Sequence, residues 1–313
     1  MQMIYLQNLG FLINKTINGA GMWQKFVSLI LGMLCLTACS PSPIKLALSL
    51  PDLNNPYFQT MANSAKEYCQ SRGYQLVLIY NDGNSNSEFE QAVAAQQQGA
   101  QVLIIVPSKA SGSVKTIQYA NQANWPVISL DRNVNGGKVT QHISSDNYMG
   151  GKMAAEFLLA MTKQQGSLLE LTGPSDISVT QDRSQGFADV LQAYQLPTSI
   201  KANAGFSQLQ AQILTSEMLA QHRHISGIFA HNDEMALGAA AALPTPRSIA
   251  IIGFDGTQVG LSSIEQNIYD ATLVQQPEVM ITTAINSAVN IINGARPVAY
   301  LKIPLRLQTN LHH

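Results

Sequence analysis

The chain has 313 residues, enough for one large or two medium domains. Charged residues make up only 12% and the formal net charge is −1, which excludes the basic surface of a nucleic-acid-binding protein. A hydrophobic fraction of 46% suits a globular protein with a sizeable core.

Residues 1–38 read as a signal peptide, with the start at Met1 or Met22. Lys25 supplies a basic flank, and the apolar run 26–36 has the size of a signal-peptide hydrophobic region, too short to span a bilayer. Thr37 and Ala38 before Cys39 resemble the lipobox of bacterial lipoproteins, which makes Cys39 the expected lipid attachment and 39–43 a tether. An exported protein is expected, anchored by lipid to a bacterial membrane and facing the periplasm or the outside. Cys69 is left alone: there is no Cys-x-x-Cys and no zinc-ligand spacing, so neither metal nor cofactor is expected. It shares a helical face with Met61, Ala62 and Ala65, an apolar setting.

From Ile44 apolar strands alternate with amphipathic helices. The pattern predicts a strand at 44–50, a helix at 57–72 stopped by Gly73, a strand at 75–80 and a helix at 88–98 stopped by Gly99. A strand at 102–106, a helix near 113–124 and a strand at 127–130 follow. The pattern restarts with a helix at 148–163, a strand at 167–171, a helix at 181–194, a strand near 199–204 and a helix at 208–222. Next come a strand at 227–230, a helix at 235–242, a strand at 248–253 and a helix near 259–267. The chain closes with a strand at 270–274, a helix at 277–293 and a strand at 298–305. Near-continuous apolar strands in β-α-β order imply parallel sheets covered on both faces. Two such runs imply two α/β lobes.

Polar and aromatic residues recur just after these strands: Asn54, Asn55, Tyr57 and Phe58; Asp131 and Arg132; Asn232 and Asp233; Asp255; Gln275 and Gln276. In parallel α/β sheets the carboxyl ends of the strands are where ligands bind. Amides, carboxylates and guanidinium groups satisfy sugar hydroxyls, which both donate and accept, while rings cover apolar sugar faces. Each residue alone is equally well read as a cap or turn, with Asp233 and Glu234 at a helix start. No phosphate-binding Gly-x-x-x-x-Gly-Lys-Ser/Thr loop, nucleophile elbow or His-Glu-x-x-His is present. An Arg beside Asp131 would hold it ionised rather than tune it as an acid. The chain reads as a binding protein, not an enzyme.

Several longer stretches carry a resemblance. Asn54-Asn-Pro-Tyr-Phe58, the segment from Asn121 to Arg132, Ser145-Asp-Asn147, the segment from Phe229 to Ala239, and Ile252-Gly-Phe-Asp-Gly-Thr257 are similar to the periplasmic ribose-binding family. These are type I sugar-binding proteins that deliver ligand to ABC transporters. The resemblance runs from about Ile44 to Leu305 and implies two Rossmann-like lobes joined by a three-crossing hinge. The crossings would fall near Ser145–Asp146, 275–276 and 303–305. One lobe would comprise 44–145 plus 276–304, the other 146–275 plus 305–313. Carried over position by position, Tyr57 and Phe58 would stack on one sugar face and Phe206 on the other. Asn55, Asp131, Arg132, Arg183, Asn232, Asp255 and Gln275 would hydrogen-bond its oxygens. Arg183 and Phe206 come from the resemblance alone.

Val106 departs from the family pattern, which has an Asn there. An unmatched sugar hydroxyl at that point costs about 1–3 kcal/mol. A pentose-like ligand is therefore expected, with ribose not automatically the best one: a deoxy sugar, or an epimer that points its hydroxyl elsewhere, could suit Val106 better. Tyr57, where Phe is usual, adds a hydroxyl whose effect is expected to be smaller. The leading expectation is a monomeric, lipid-anchored protein that hands a ribose-like monosaccharide to an ABC transporter permease. The alternative is a sensor protein that presents ligand state to a membrane receptor. A repressor effector domain would need an N-terminal DNA-binding motif, and a glycosidase would need turnover of pentosides.

Overall fold

The computed structural model describes residues 42–310. The expected signal peptide, Cys39 and most of the tether lie outside the described residues, as do 311–313.

The first half of the chain runs β1 (Lys45–Leu50), α1 (Pro56–Arg72), β2 (Gln75–Tyr80), α2 (Ser85–Gln97), β3 (Val102–Ile105), α3 (Val114–Gln122), β4 (Val127–Leu130) and β5 (Gln141–Ser145). Next come α4 (Asn147–Thr162), β6 (Ser167–Thr172), α5 (Ser178–Ala193), β7 (Ile200–Asn203), α6 (Gln208–Gln221), β8 (Ile225–Ala230) and α7 (Asp233–Ala241). The chain ends with β9 (Ala250–Asp255), α8 (Gln258–Glu265), β10 (Ala271–Val274), α9 (Pro277–Ile292), β11 (Tyr300–Ile303) and β12 (Arg306–Thr309).

These strands form two six-stranded sheets, ordered β11-β5-β4-β3-β1-β2 and β12-β10-β9-β8-β6-β7. Every pairing is parallel except β10 with β12. In both sheets the strand order reverses beside the first strand of its run, at β1 and β6, and this reversal is the switch point where such sheets open a crevice. The two α/β lobes expected from the alternation are thus present. The chain passes between the sheets three times: from β5 into α4, from β10 into α9, and from β11 into β12.

Local chemistry explains the elements that carry the site. Asn55 caps α1, accepting from the Tyr57 N–H at 2.9 Å, and Pro56 fills a first-turn position where a missing N–H costs nothing. Gly73 ends the helix in the left-handed conformation at φ 69°. Met61, Ala62, Ala65 and Cys69 line its inner face, packed with Leu46, Leu48, Ile104 and with Met280, Ile281 and Ala284 of α9. α4 and α5 cross so closely that a Cβ on Gly186 would stand 2.0 Å from the Tyr148 carbonyl oxygen. A methyl group there would push the helices apart, and α5 carries Arg183.

Two strands escape the apolar pattern. β5 reads Gln-His-Ile-Ser-Ser and is entirely buried; His142 Nδ1 lies 2.8 Å from Ser129 Oγ and Ser144 Oγ bonds to the Ser145 carbonyl, while Gln141 Oε1 and Ser145 Oγ have no hydrogen-bond partner among the described residues. β12 is a short antiparallel edge strand, and the single strand expected at 298–305 is broken at Pro304, with β11 and β12 in different sheets. α2 begins at Ser85 rather than 88 because Asn84 accepts from the N–H groups of Asn86 and Ser87. α5 begins three residues before the expected 181.

Candidate functional site

The carboxyl ends of the two sheets face each other across a cleft. A small cavity in it is lined by Asn55, Tyr57, Phe58, Asp131, Arg132, Val179, Arg183, Phe206, Asn232, Asp255 and Gln275. The structure thus brings together all ten side chains named from the sequence as ligand contacts. The side chains leave little open space in it. It opens into a wider chamber lined in part by Asp52, Asn54, Lys109, Asp176 and Glu234. The two sides touch at the rim: the Ala110 N–H donates to the Asp176 carbonyl at 3.1 Å, and the Asn133 N–H to Ser178 Oγ at 2.8 Å. The cleft is closed.

Three lining residues sit where the backbone turns sharply out of a strand. Asp131 follows β4 at φ 60°, Phe206 follows β7 at φ 62°, and Asp255 ends β9 at φ 109°. Left-handed backbone is costly for residues with a Cβ, most of all for a bulky ring, and persists where the surroundings enforce it. Phe206 owes its place to Gly173, whose missing side chain leaves the ring its space: a Cβ there would lie 2.1 Å from the ring.

The charges are buried and interlocked. Arg183 lies nearly sealed beneath the cavity, 3.5 Å above the Phe254 ring. Its Nε donates to Asn147 Oδ1 at 2.9 Å, and one terminal nitrogen donates to the His231 carbonyl. Burial pushes the Asp131 carboxyl upward, opposed by Arg132 and then Arg183. Asp255 is pushed well above the usual carboxylate range by burial, with Arg183 opposing and Asp233 adding to the rise. Arg132 spans the cleft between Phe58, 5.2 Å from its guanidinium carbon, and Phe206, at 5.9 Å. Arg132 Nε is buried and has no hydrogen-bond partner among the described residues. Its nearest acid is Asp131 Oδ2, 4.0 Å away.

In the turn after β8, Asn232 lines the cavity and is also the cap of α7, accepting from the Met235 N–H at 3.0 Å, while its amide nitrogen faces the Phe206 carbonyl at 3.4 Å. Asp233 stands with Glu234 in the first turn of α7, as expected, and is in addition a fully buried hub. Its carboxylate accepts from the N–H and hydroxyl of Thr257 at 2.7 and 2.9 Å, from Tyr269 at 3.0 Å and from Thr272 at 2.6 Å. Asp233 thereby ties together the ends of β8, β9 and β10, which carry Asn232, Asp255 and Gln275. Burial still raises its pKa to about 6.

Beneath the same strand, His231 Nε2 stands 3.0 Å from Glu170 Oε1. Burial pushes Glu170 upward, but His231, Ser184 and Lys201 together hold it below the usual carboxylate range. Burial lowers the His231 pKa, opposed by Glu170.

Val106 does not line the cavity. It follows β3 at the same sheet edge, fully buried in the apolar cluster that also holds Tyr57 and Met280. Val179 is a lining residue the sequence reading did not name; it lies four residues before Arg183 on the same face of α5, and that spacing was its only signal. The Tyr57 hydroxyl reaches the centre of the polar groups, 3.2 Å from Asp131 Oδ1 and 3.4 Å from Gln275 Oε1.

A model of the periplasmic binding protein domain matches residues 46–296, which include every lining residue and all strands of both sheets but β11 and β12. The chain belongs to that family. Over 91% of this chain and 99% of the relative, it is 32% identical to the ribose import binding protein of Bacillus subtilis, which places it among the ribose-binding-like members. It is 26% identical, over 85% of its length and 86% of the relative's, to the D-apiose import binding protein of Paraburkholderia graminis. The Caulobacter myo-inositol binding protein, solved with myo-inositol bound, superposes with a TM-score of 0.80 at 25% identity, covering 88% of this chain and 96% of that one. The fold is that of a type I periplasmic binding protein, two Rossmann-like lobes joined by three crossings.

Proposed function

We propose that this chain captures one monosaccharide, a ribose-like pentose, between two closing lobes and delivers it to an ABC transporter permease. The lobes are residues 44–145 with 276–304 and residues 146–275 with 305–313. Relatives named for ribose and apiose import support a pentose. The observation that carries the reading is the makeup of the cleft between the sheets. Phe58 and Phe206 flank Arg132, and two carboxylates, two guanidinium groups and three amides line the same small space. A polyol needs that mixture of donors and acceptors. No nucleophile with an adjacent base stands among the lining residues, so ligand leaves as it came. The hinge supplies the motion: a ligand that bridges both lobes favours the closed arrangement over the open one. Cys39 would hold the protein to the membrane as a monomer, facing the periplasm or the outside, where the permease receives the sugar.

A thermal-shift panel of pentoses, hexoses, deoxy sugars and polyols tests the reading. At a hundredfold excess over Kd the matching sugar stabilises the chain by about 2.7 kcal/mol. A pentose should give the largest rise in Tm; no response to any sugar would overturn the proposal.

A further inference from the structure

Tyr57 is the second residue of α1, its ring buried and packed edge-on against Phe58 with centroids 5.3 Å apart. Its hydroxyl is surrounded by three acceptors: Asp131 Oδ1 at 3.2 Å, Gln275 Oε1 at 3.4 Å and Met280 Sδ at 3.6 Å. Gln275 is fixed in this orientation because its amide nitrogen donates to Asp255 Oδ1 at 2.7 Å. A phenol has one proton to give. The carboxylate is the nearest acceptor and the strongest, so the proton goes to Asp131.

That bond changes what Asp131 can offer a ligand. Oδ1 is engaged by the protein's own hydroxyl, and Oδ2, beside Arg132, is the oxygen left to accept from sugar. Each carboxylate oxygen has two acceptor sites, and the phenol takes one of those on Oδ1. A ligand hydroxyl that reaches this edge must share Oδ1 with the phenol and compete with it for position. On the other side of Tyr57 lie Met280 and Val106, members of the apolar cluster that offer no strong hydrogen-bond partner.

We infer that the Tyr57 hydroxyl is a specificity determinant that occupies the place of one ligand hydroxyl at Asp131, so that the site favours a deoxypentose over the fully hydroxylated pentose. The inference rests on the monosaccharide reading above and assigns to Tyr57 the selectivity that the sequence attached to Val106. A hydroxyl that only braced Asp131 would instead serve all sugars alike.

The test is calorimetric titration of the wild-type chain and of Tyr57→Phe with D-ribose and its 2-, 3- and 5-deoxy analogues. The wild type should bind one deoxy analogue at least as tightly as D-ribose. Tyr57→Phe keeps the ring and frees Asp131 Oδ1, so it should shift the affinity ratio toward D-ribose by roughly tenfold, the worth of one hydrogen bond to a charged group. Ratios unchanged within about twofold, including a uniform loss for every sugar, would overturn the inference and leave the monosaccharide reading standing. Binding of no sugar by either protein would overturn both. Unfolding midpoints of the two proteins within a few degrees show that any shift in ratio comes from the site.

Discussion

Asp233 gives the sharpest link between the buried chemistry of the site and a measurable free energy. Its carboxylate accepts four hydrogen bonds, two from Thr257 and one each from Tyr269 and Thr272, and both Tyr269 and Thr272 are fully buried. Asp233→Ala removes the acceptor for all four. Each orphaned buried donor costs about 1–3 kcal/mol, partly offset because a buried carboxylate is no longer desolvated, so a net loss of about 3–5 kcal/mol is expected. Asp233→Asn is milder. Its amide oxygen can keep the fixed Thr257 N–H, and its NH₂ can donate to the Tyr269 and Thr272 hydroxyls, which rotate to accept. The Asn variant also removes a titration. The folded carboxyl is raised from 3.8 to about 6 by burial, so the stability linked to its proton is fully present below pH 3.8 and lost as pH rises through 6. That shift corresponds to about 3 kcal/mol. The stability gap between wild type and Asp233→Asn should therefore widen by most of that, about 2–2.5 kcal/mol, from pH 7 to pH 4. Urea unfolding followed by Trp125 fluorescence and circular dichroism at several pH values measures it. A gap constant within about 0.5 kcal/mol, or an Asp233→Ala loss below about 1 kcal/mol, would refute the hub.

Three further outcomes follow from the same structure. His142, beside the first crossing, has its pKa lowered by burial from 6.5 to about 4, so its contribution is present above pH 6.5 and is lost as pH falls toward 4. The sign is opposite to that of Asp233, and His142→Gln should remove about 3 kcal/mol of acid sensitivity over this interval in the same unfolding assay. Gly173→Ala places a methyl group where the Phe206 ring lies, and should weaken sugar binding about as much as Phe206→Ala, roughly 10- to 100-fold by calorimetry. Val106→Asn buries an amide in the apolar cluster at the end of β3, so lower stability with D-ribose binding unchanged or weaker is expected; stronger D-ribose binding by calorimetry would contradict the placement of Val106 in the core alone.

Much of this arrangement is legible in the sequence because strand ends in parallel sheets carry their polar residues in register. Apolar strands such as Val102–Ile105 and Ile225–Ala230 locate the sheets, and the residues just beyond them include Asn55, Asp131, Asn232 and Gln275. Arg183 and Phe206 lie away from that edge signal. One projects from the middle of α5, and the other stands in a loop whose left-handed backbone leaves no mark in the chain. β5 was hidden because four of its five buried residues are polar, so it lacks the apolar run that marks the other strands. The hub at Asp233 was hidden for a different reason. The sequence marks it as a residue of the helix start, and only the approach of Thr257, Tyr269 and Thr272 from elsewhere in the chain gives its carboxylate a second role. Tyr57 is similar: its ring is visible as a stacking residue, but the partners of its hydroxyl come from positions 131, 275 and 280.

The central claim is that the cavity between the two sheets holds one sugar through its buried charges. Calorimetric titration of wild type, Arg183→Met and Asp255→Asn with the sugar that gives the largest thermal shift tests it most directly. One sugar per chain should bind the wild type, with affinity falling at least a hundredfold in Arg183→Met, which leaves Asp131 and Asp255 without their shared counter-charge. Sugar binding undiminished in both folded variants would contradict it.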